Sequence, residues 1–125
     1  MIMDSIERTL RHELGHAVCG VQLGATAKIT DEGATMRCDL DWGRKSPSEF
    51  EVICTWAAGW IADPSSMSQE DLIMRSVIPG DLRTKAEAYA LEHVVPLLDR
   101  IEPRVMASML RDLVEKGEVE ITEDW

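Results

Sequence analysis

The feature that most constrains this chain is a periodic apolar run near its start: Ile6, Leu10, Leu14, Ala17, Val18 and Val21. At about 100° per residue these side chains fall on one continuous face of an α-helix, and any fold must bury that face against a core. On the same wheel His12 and His16 lie off the apolar face with Glu13 between them, while Glu7, Arg8, Arg11 and Gln22 form a third, wet face. Asp4-Ser5-Ile6-Glu7 reads as the helix start, with an acidic first turn, and Gly24 as its stop. The first helix can therefore bury one side and still offer two histidines to a cleft.

Those histidines belong to His12-Glu13-Leu14-Gly15-His16, an HExxH motif. Residues four apart sit one turn apart on one helix face, so both imidazoles can reach a single metal ion. Zinc brings the pKa of a water it holds towards neutrality, and a neighbouring Glu can take that proton during attack on a carbonyl. Glu13 has the position for the general base. Gly15 costs the helix roughly 1 kcal/mol relative to Ala; its absent side chain would let another backbone or a substrate pass close. A histidine pair on a helix can also be ordinary surface, but the intervening Glu and the amphipathic setting favour a metal site. A catalytic zinc commonly takes three protein ligands and keeps one open position. The third must come from elsewhere, and the acidic candidates are Asp63, Glu70, Asp71, Asp81 and Glu87. Composition does not choose among them.

The rest of the chain predicts a mostly helical α+β domain over residues 1–125. Two short β-leaning runs flank Asp31-Glu32-Gly33 and predict a hairpin. Ser46-Pro47-Ser48-Glu49 predicts a helix start, carrying Phe50, Ile53, Ala57, Trp60 and Ile61 towards Pro64. Further helices are expected over 68–77, from Asp81 towards His93, and after Pro96 and Pro103, the last ending at Gly117. The expected architecture is the HExxH helix, a small hairpin or sheet, then a C-terminal helical bundle. Trp56 and Trp60, four apart, can touch each other, with core packing as their expected role. The acidic tail "EVEITEDW" is expected to fray.

Charge and cysteine content narrow the function. The formal net charge of −10 argues against nucleic acid, which needs a Lys/Arg footprint, and against an anionic membrane surface. Cys19, Cys38 and Cys54 are odd in number and lack CxxC spacing, which fits reduced, small packing residues and a cytoplasmic setting. No apolar stretch approaches the ~20 residues of a membrane span, and "MIMDSIERTL" has no signal-peptide core.

Taken in order, the segments resemble the peptidase domain of the FtsH family, the aspartate zincins. "HELGHAVCGVQLGA" resembles that family's HEAGHA helix, and "TAKITDEGATM" falls where the family has a strand, loop and strand lining the cleft. "ICTWAAGWIAD" is similar to its apolar helix, "PGDLRTKAEAYA" to its Asn-Asp segment and Ala-rich helix, and "LDRIEPRVMASMLRDLVEKGEVE" to its C-terminal helices. The resemblance covers nearly the whole chain, with HExxH its one individually specific motif. It implies His12 and His16 as zinc ligands, Glu13 as general base and Asp81 as third ligand. A helix N-cap is the competing role for Asp81. The chain departs from the family in having Gly80 where the family has Asn, and in a shorter stretch from His16 to Asp81. The family's ATPase module and membrane anchor have no counterpart in these residues, so the expected substrates are already extended: a flexible tail, a loop or a peptide. Such a segment is expected to dock by strand addition at Lys28, Ile29 and Thr30 or along Thr35–Leu40. The leading expectation is an ATP-independent zinc endopeptidase, with homo-oligomers possible. The rival is a metal-binding, peptide-binding regulatory domain without turnover.

Overall fold

In a computed structural model of the protein, residues 5–33 and 35–122 are described. The fold is built around α1 (Ser5–Gln22), whose Leu10, Leu14, Ala17 and Val18 are fully buried. Its apolar stripe starts one turn later than the periodicity suggests, because Ile6 is 58% exposed. Asp4, expected to open this helix, lies outside the described residues.

One side of α1 carries a three-stranded antiparallel sheet in the order β2–β1–β3. The expected hairpin is present: β1 (Thr26–Asp31) pairs with β2 (Met36–Asp41), Ile29 opposite Cys38. The third strand, β3 (Glu118–Ile121), corrects the expectation of a frayed tail. Its alternation puts Ile121 in the core and Glu118 and Glu120 in water. It pairs with β1 from Ala27↔Ile121 to Thr30↔Glu118 and makes β1 the middle strand. Trp125 lies outside the described residues.

Helix α2 (Glu49–Ala62) packs closely on α1. Its cap is Ser48 rather than Ser46: Ser48 Oγ accepts from the Glu51 N–H, and the Glu51 carboxylate accepts from the Ser48 N–H. Gly15 explains the close approach. A Cβ there would collide with the carbonyl oxygen of Ala58 and stand 2.8 Å from the Ala62 side chain. The backbone that passes Gly15 is thus α2.

A 3-10 turn (Pro64–Ser66) leads into α3 (Gln69–Val77), then α4 (Gly80–His93), α5 (Val95–Asp99) and α6 (Pro103–Lys116). Helix α4 lies against α2, where Glu87 accepts a hydrogen bond from the Trp60 indole at 2.8 Å. Trp60 is buried in the core, whereas Trp56 is half-buried and turns elsewhere. Cys19 and Cys54 are core residues and Cys38 is half-buried, all three as free thiols. Among the described residues, no helix is long and apolar enough to cross a membrane.

Candidate metal and catalytic site

The helical spacing of His12 and His16 brings their rings together edge to face, with Nε2 to Nε2 at 3.2 Å. Each ring is fixed from behind by α2 and its exit. His16 Nδ1 lies 2.6 Å from the Thr55 carbonyl oxygen, and His12 Nδ1 lies 3.2 Å from that of Asp63. A carbonyl oxygen can only accept, so both Nδ1 atoms carry hydrogen and both Nε2 atoms are directed to the shared space. A backbone acceptor that orients a ligating imidazole is the usual support of a metal-binding histidine. Gly59 makes room for this arrangement, since a Cβ there would collide with the His16 ring.

The third group is Asp71, on the first turn of α3. Its Oδ2 lies 3.0 Å from His12 Nε2, and its side chain is 5% exposed. It also completes a capping box, accepting from the Ser68 N–H at 3.0 Å while its own N–H donates to Ser68 Oγ. Ligand atoms of His12, His16 and Asp71 all lie within 4.8 Å of one another, and this group could hold a metal ion. A tetrahedral zinc site with bonds of 2.0–2.1 Å has ligand-to-ligand edges of about 3.3 Å. The His12–Asp71 and His12–His16 separations of 3.0 and 3.2 Å are close to that edge, and the third pair lies within 4.8 Å.

The three groups shift one another's ionisation. Burial opposes a charged His12, but the Asp71 hydrogen bond, the Asp63 carbonyl and the nearby carboxylates outweigh it and raise its pKa. Burial, reinforced by the charge on His12, pushes His16 down to about 4. Burial also opposes ionisation of Asp71, yet hydrogen bonds from His12 and Ser68 hold it at about 2. His12 Nε2 thus faces a carboxylate oxygen at 3.0 Å and an imidazole nitrogen at 3.2 Å, and a positive charge at that point is favoured by the carboxylate.

Glu13, half-buried beside this set, has its carboxyl pushed up to about 7, first by burial and then by the charges of Asp71 and Asp39. The charge on His12 and the Cys38 N–H offset part of that rise. Its side chain lines a cleft of about 700 Å³ together with His16 and Asp71. One wall is β2 with Met36, Cys38 and Leu40, and the other is α2 with Val52, Thr55 and Trp56. Trp56 also meets the His16 ring edge-on, at 6.1 Å between centroids.

Two expectations are corrected. Asp81, the third ligand implied by resemblance, is exposed in the first turn of α4 and is not in the ligand group. It is not an N-cap either, since Pro79 holds that position without a side-chain hydrogen bond. The chain turns at Pro79 and Gly80 only after α3 has already delivered a carboxylate to the histidines. Asp71 was among the acidic candidates, and Ser68-x-x-Asp71 is the sequence signal that marks it as a first-turn residue. Lys28, Ile29 and Thr30 offer no sheet edge, because β1 is paired on both sides and Ile29 is fully buried. Lys28 instead pairs with Glu118 of β3 at 3.2 Å. The exposed edge beside the cleft is β2, the other strand considered.

The chain matches no protein-family model, no curated protein and no solved structure.

Proposed function

We propose that this protein is a zinc-dependent endopeptidase in which His12, His16 and Asp71 hold the ion and Glu13 is the general base. The observation that carries the proposal is the convergence of three ligand groups, His12 Nε2 lying 3.0 Å from Asp71 Oδ2 and 3.2 Å from His16 Nε2 with all three within 4.8 Å, and Glu13 facing the cleft beside them. Two nitrogens and one oxygen form a donor set suited to a catalytic zinc, which is commonly held by three protein ligands. When bound, zinc polarises the substrate carbonyl and acidifies a water molecule. Thr55 and Asp63 keep the histidine rings in one orientation through their carbonyl oxygens. Glu13 takes a proton from the attacking water and delivers it to the departing amide nitrogen as the C–N bond breaks. A carboxyl group poised near neutrality suits both halves of that transfer.

An extended segment lies along β2 as an added strand. It hydrogen-bonds the outer edge of Met36–Asp41 while its side chains enter the space between Leu40 and Trp56. This favours peptides and unfolded tails over folded proteins. Kinship with the aspartate zincins is part of this proposal, with the aspartate drawn from α3 rather than α4.

The test is incubation of zinc-loaded protein with an extended unstructured polypeptide, followed by mass spectrometry. Internal cleavage that stops on chelation and returns with zinc is the expected result. Polypeptide that binds but stays intact at full zinc occupancy would instead assign a non-catalytic peptide-binding domain.

A further inference from the structure

We propose that α3 is a strap latched by the metal: Asp71 anchors the helix to the body, and loading the ion fastens it. This rests on the reading of His12, His16 and Asp71 as a metal site.

Helix α3 is amphipathic in composition but is not held by its apolar residues. Within Gln69–Val77, Asp71 is the one buried residue and Met74 the one half-buried residue. Leu72, Ile73 and Val77 are 55%, 54% and 66% exposed. Beyond these contacts, Arg75 lies 3.7 Å from the Glu87 carboxylate and its carbonyl accepts from Arg83 at 3.5 Å, both near the surface. Such long contacts near the surface contribute little. A helix of this length is unstable alone, since isolated helices shorter than about 12–15 residues are marginal in water. Tertiary contacts must therefore hold α3 in place, and the most buried of them is a carboxylate aimed at the ligand space of His12.

The ends of α3 suit such a motion. It is entered through the Pro64–Ser66 turn and left through Pro79-Gly80, with Met67 and Ile78 seated on the core at its two ends as pivots, and a side chain at Gly80 would meet only open space. The same helix borders the cleft through Ser68, Glu70 and Asp71. Fastening it therefore completes a wall of the substrate groove at the moment the reactive centre is assembled. Releasing the ion leaves Asp71 with its 3.0 Å contact to His12 Nε2 and frees α3 to open as a unit. Metal availability thus controls the groove as well as the chemistry.

Hydrogen exchange read by mass spectrometry tests this on the full chain, with zinc content measured in the same samples. Asp71→Asn is the variant, because the amide keeps the shape and the capping hydrogen bond while weakening the ligand. Chelation of the wild type is expected to speed exchange over 69–77 by at least about tenfold, with the central turns of α1 and α2 changing by less than about twofold. In Asp71→Asn the same segment is expected to exchange at the fast rate with or without zinc. Equal protection of α3 in the zinc-bound wild type, the chelated wild type and the variant would overturn the proposal, as would equal loosening of α1. A wild type that takes up no zinc would refute the metal site and the latch with it. The comparison of metal-free wild type with Asp71→Asn would still decide whether Asp71 is the anchor.

Discussion

Glu13→Gln is expected to abolish peptide cleavage and, in the metal-free protein, to raise stability. Removing a general base costs roughly 10²–10⁴ in rate. Gln keeps the size of the side chain and leaves the ligand set intact, so zinc content should stay at the wild-type level. The gain in stability follows from the raised carboxyl pKa. The folded protein holds Glu13 at about 7 against an ordinary 4.5. Above pH 7 the group is ionised in both folded and unfolded chains, and the folded state bears the full cost of a buried charge. Below 4.5 it is neutral in both, and the cost is gone. The difference sets an upper bound of about 3 kcal/mol. Glu13→Gln removes that cost, so the chelated variant should melt about 5 °C above chelated wild type at pH 8. At pH 4 the two should melt together. Thermal melts at the two pH values, with peptide cleavage measured alongside, check both halves. A variant that cleaves peptides at the wild-type rate would remove Glu13 from the mechanism.

Zinc itself should stabilise the fold strongly. An ion that binds only the native state adds RT ln(1 + [L]/Kd), which reaches about 4 kcal/mol at a thousandfold excess over Kd. For a chain of this size that corresponds to a rise of about 10 °C in melting temperature. His16→Ala removes one ligand and should hold the shift within about 2 °C. The effect must also depend on pH in a particular way. Zinc has to displace the proton on His12, whose pKa is raised, so affinity falls as pH drops below that value. His16 stays neutral down to about 4 and adds no competing proton above that. Below that raised pKa, and down to about 4, the loss should therefore approach one decade of affinity per pH unit, the signature of a single displaced proton. Calorimetric melts across that range provide the measurement. A zinc shift that survives in His16→Ala would place the ion elsewhere.

The parts of this site that are local in sequence are the parts that could be read from it. Period and spacing place His12, Glu13 and His16 on one helix, because an α-helix fixes the relation of residues four apart wherever the rest of the chain goes. The hairpin and α3 are legible for the same reason. The third member of the group is set by long-range contacts. Asp71 and Asp81 both occupy first helical turns, ten residues apart, and only the path through Pro64–Ser66 decides which of them reaches the histidines. The resemblance pointed to Asp81 by its place in the order of segments, and α3 had already filled the site. The sheet went astray through β3. "EVEI" alternates acidic and apolar residues as an edge strand does, yet beside an acidic C-terminus it looks like tail. Its pairing turns β1 into a middle strand and moves the docking edge from Lys28–Thr30 to β2. Nothing in the periodicity of α1 reveals that Ile6 lies beyond the reach of the core.

The central claim is that one metal ion is held by His12, His16 and Asp71. Metal content per chain should be measured for purified, zinc-reconstituted wild type beside Asp71→Ala and Asp81→Ala. The account predicts about one zinc in the wild type and in Asp81→Ala, and a large loss in Asp71→Ala. Loss in Asp81→Ala with retention in Asp71→Ala, or a wild type that binds no zinc, would contradict it.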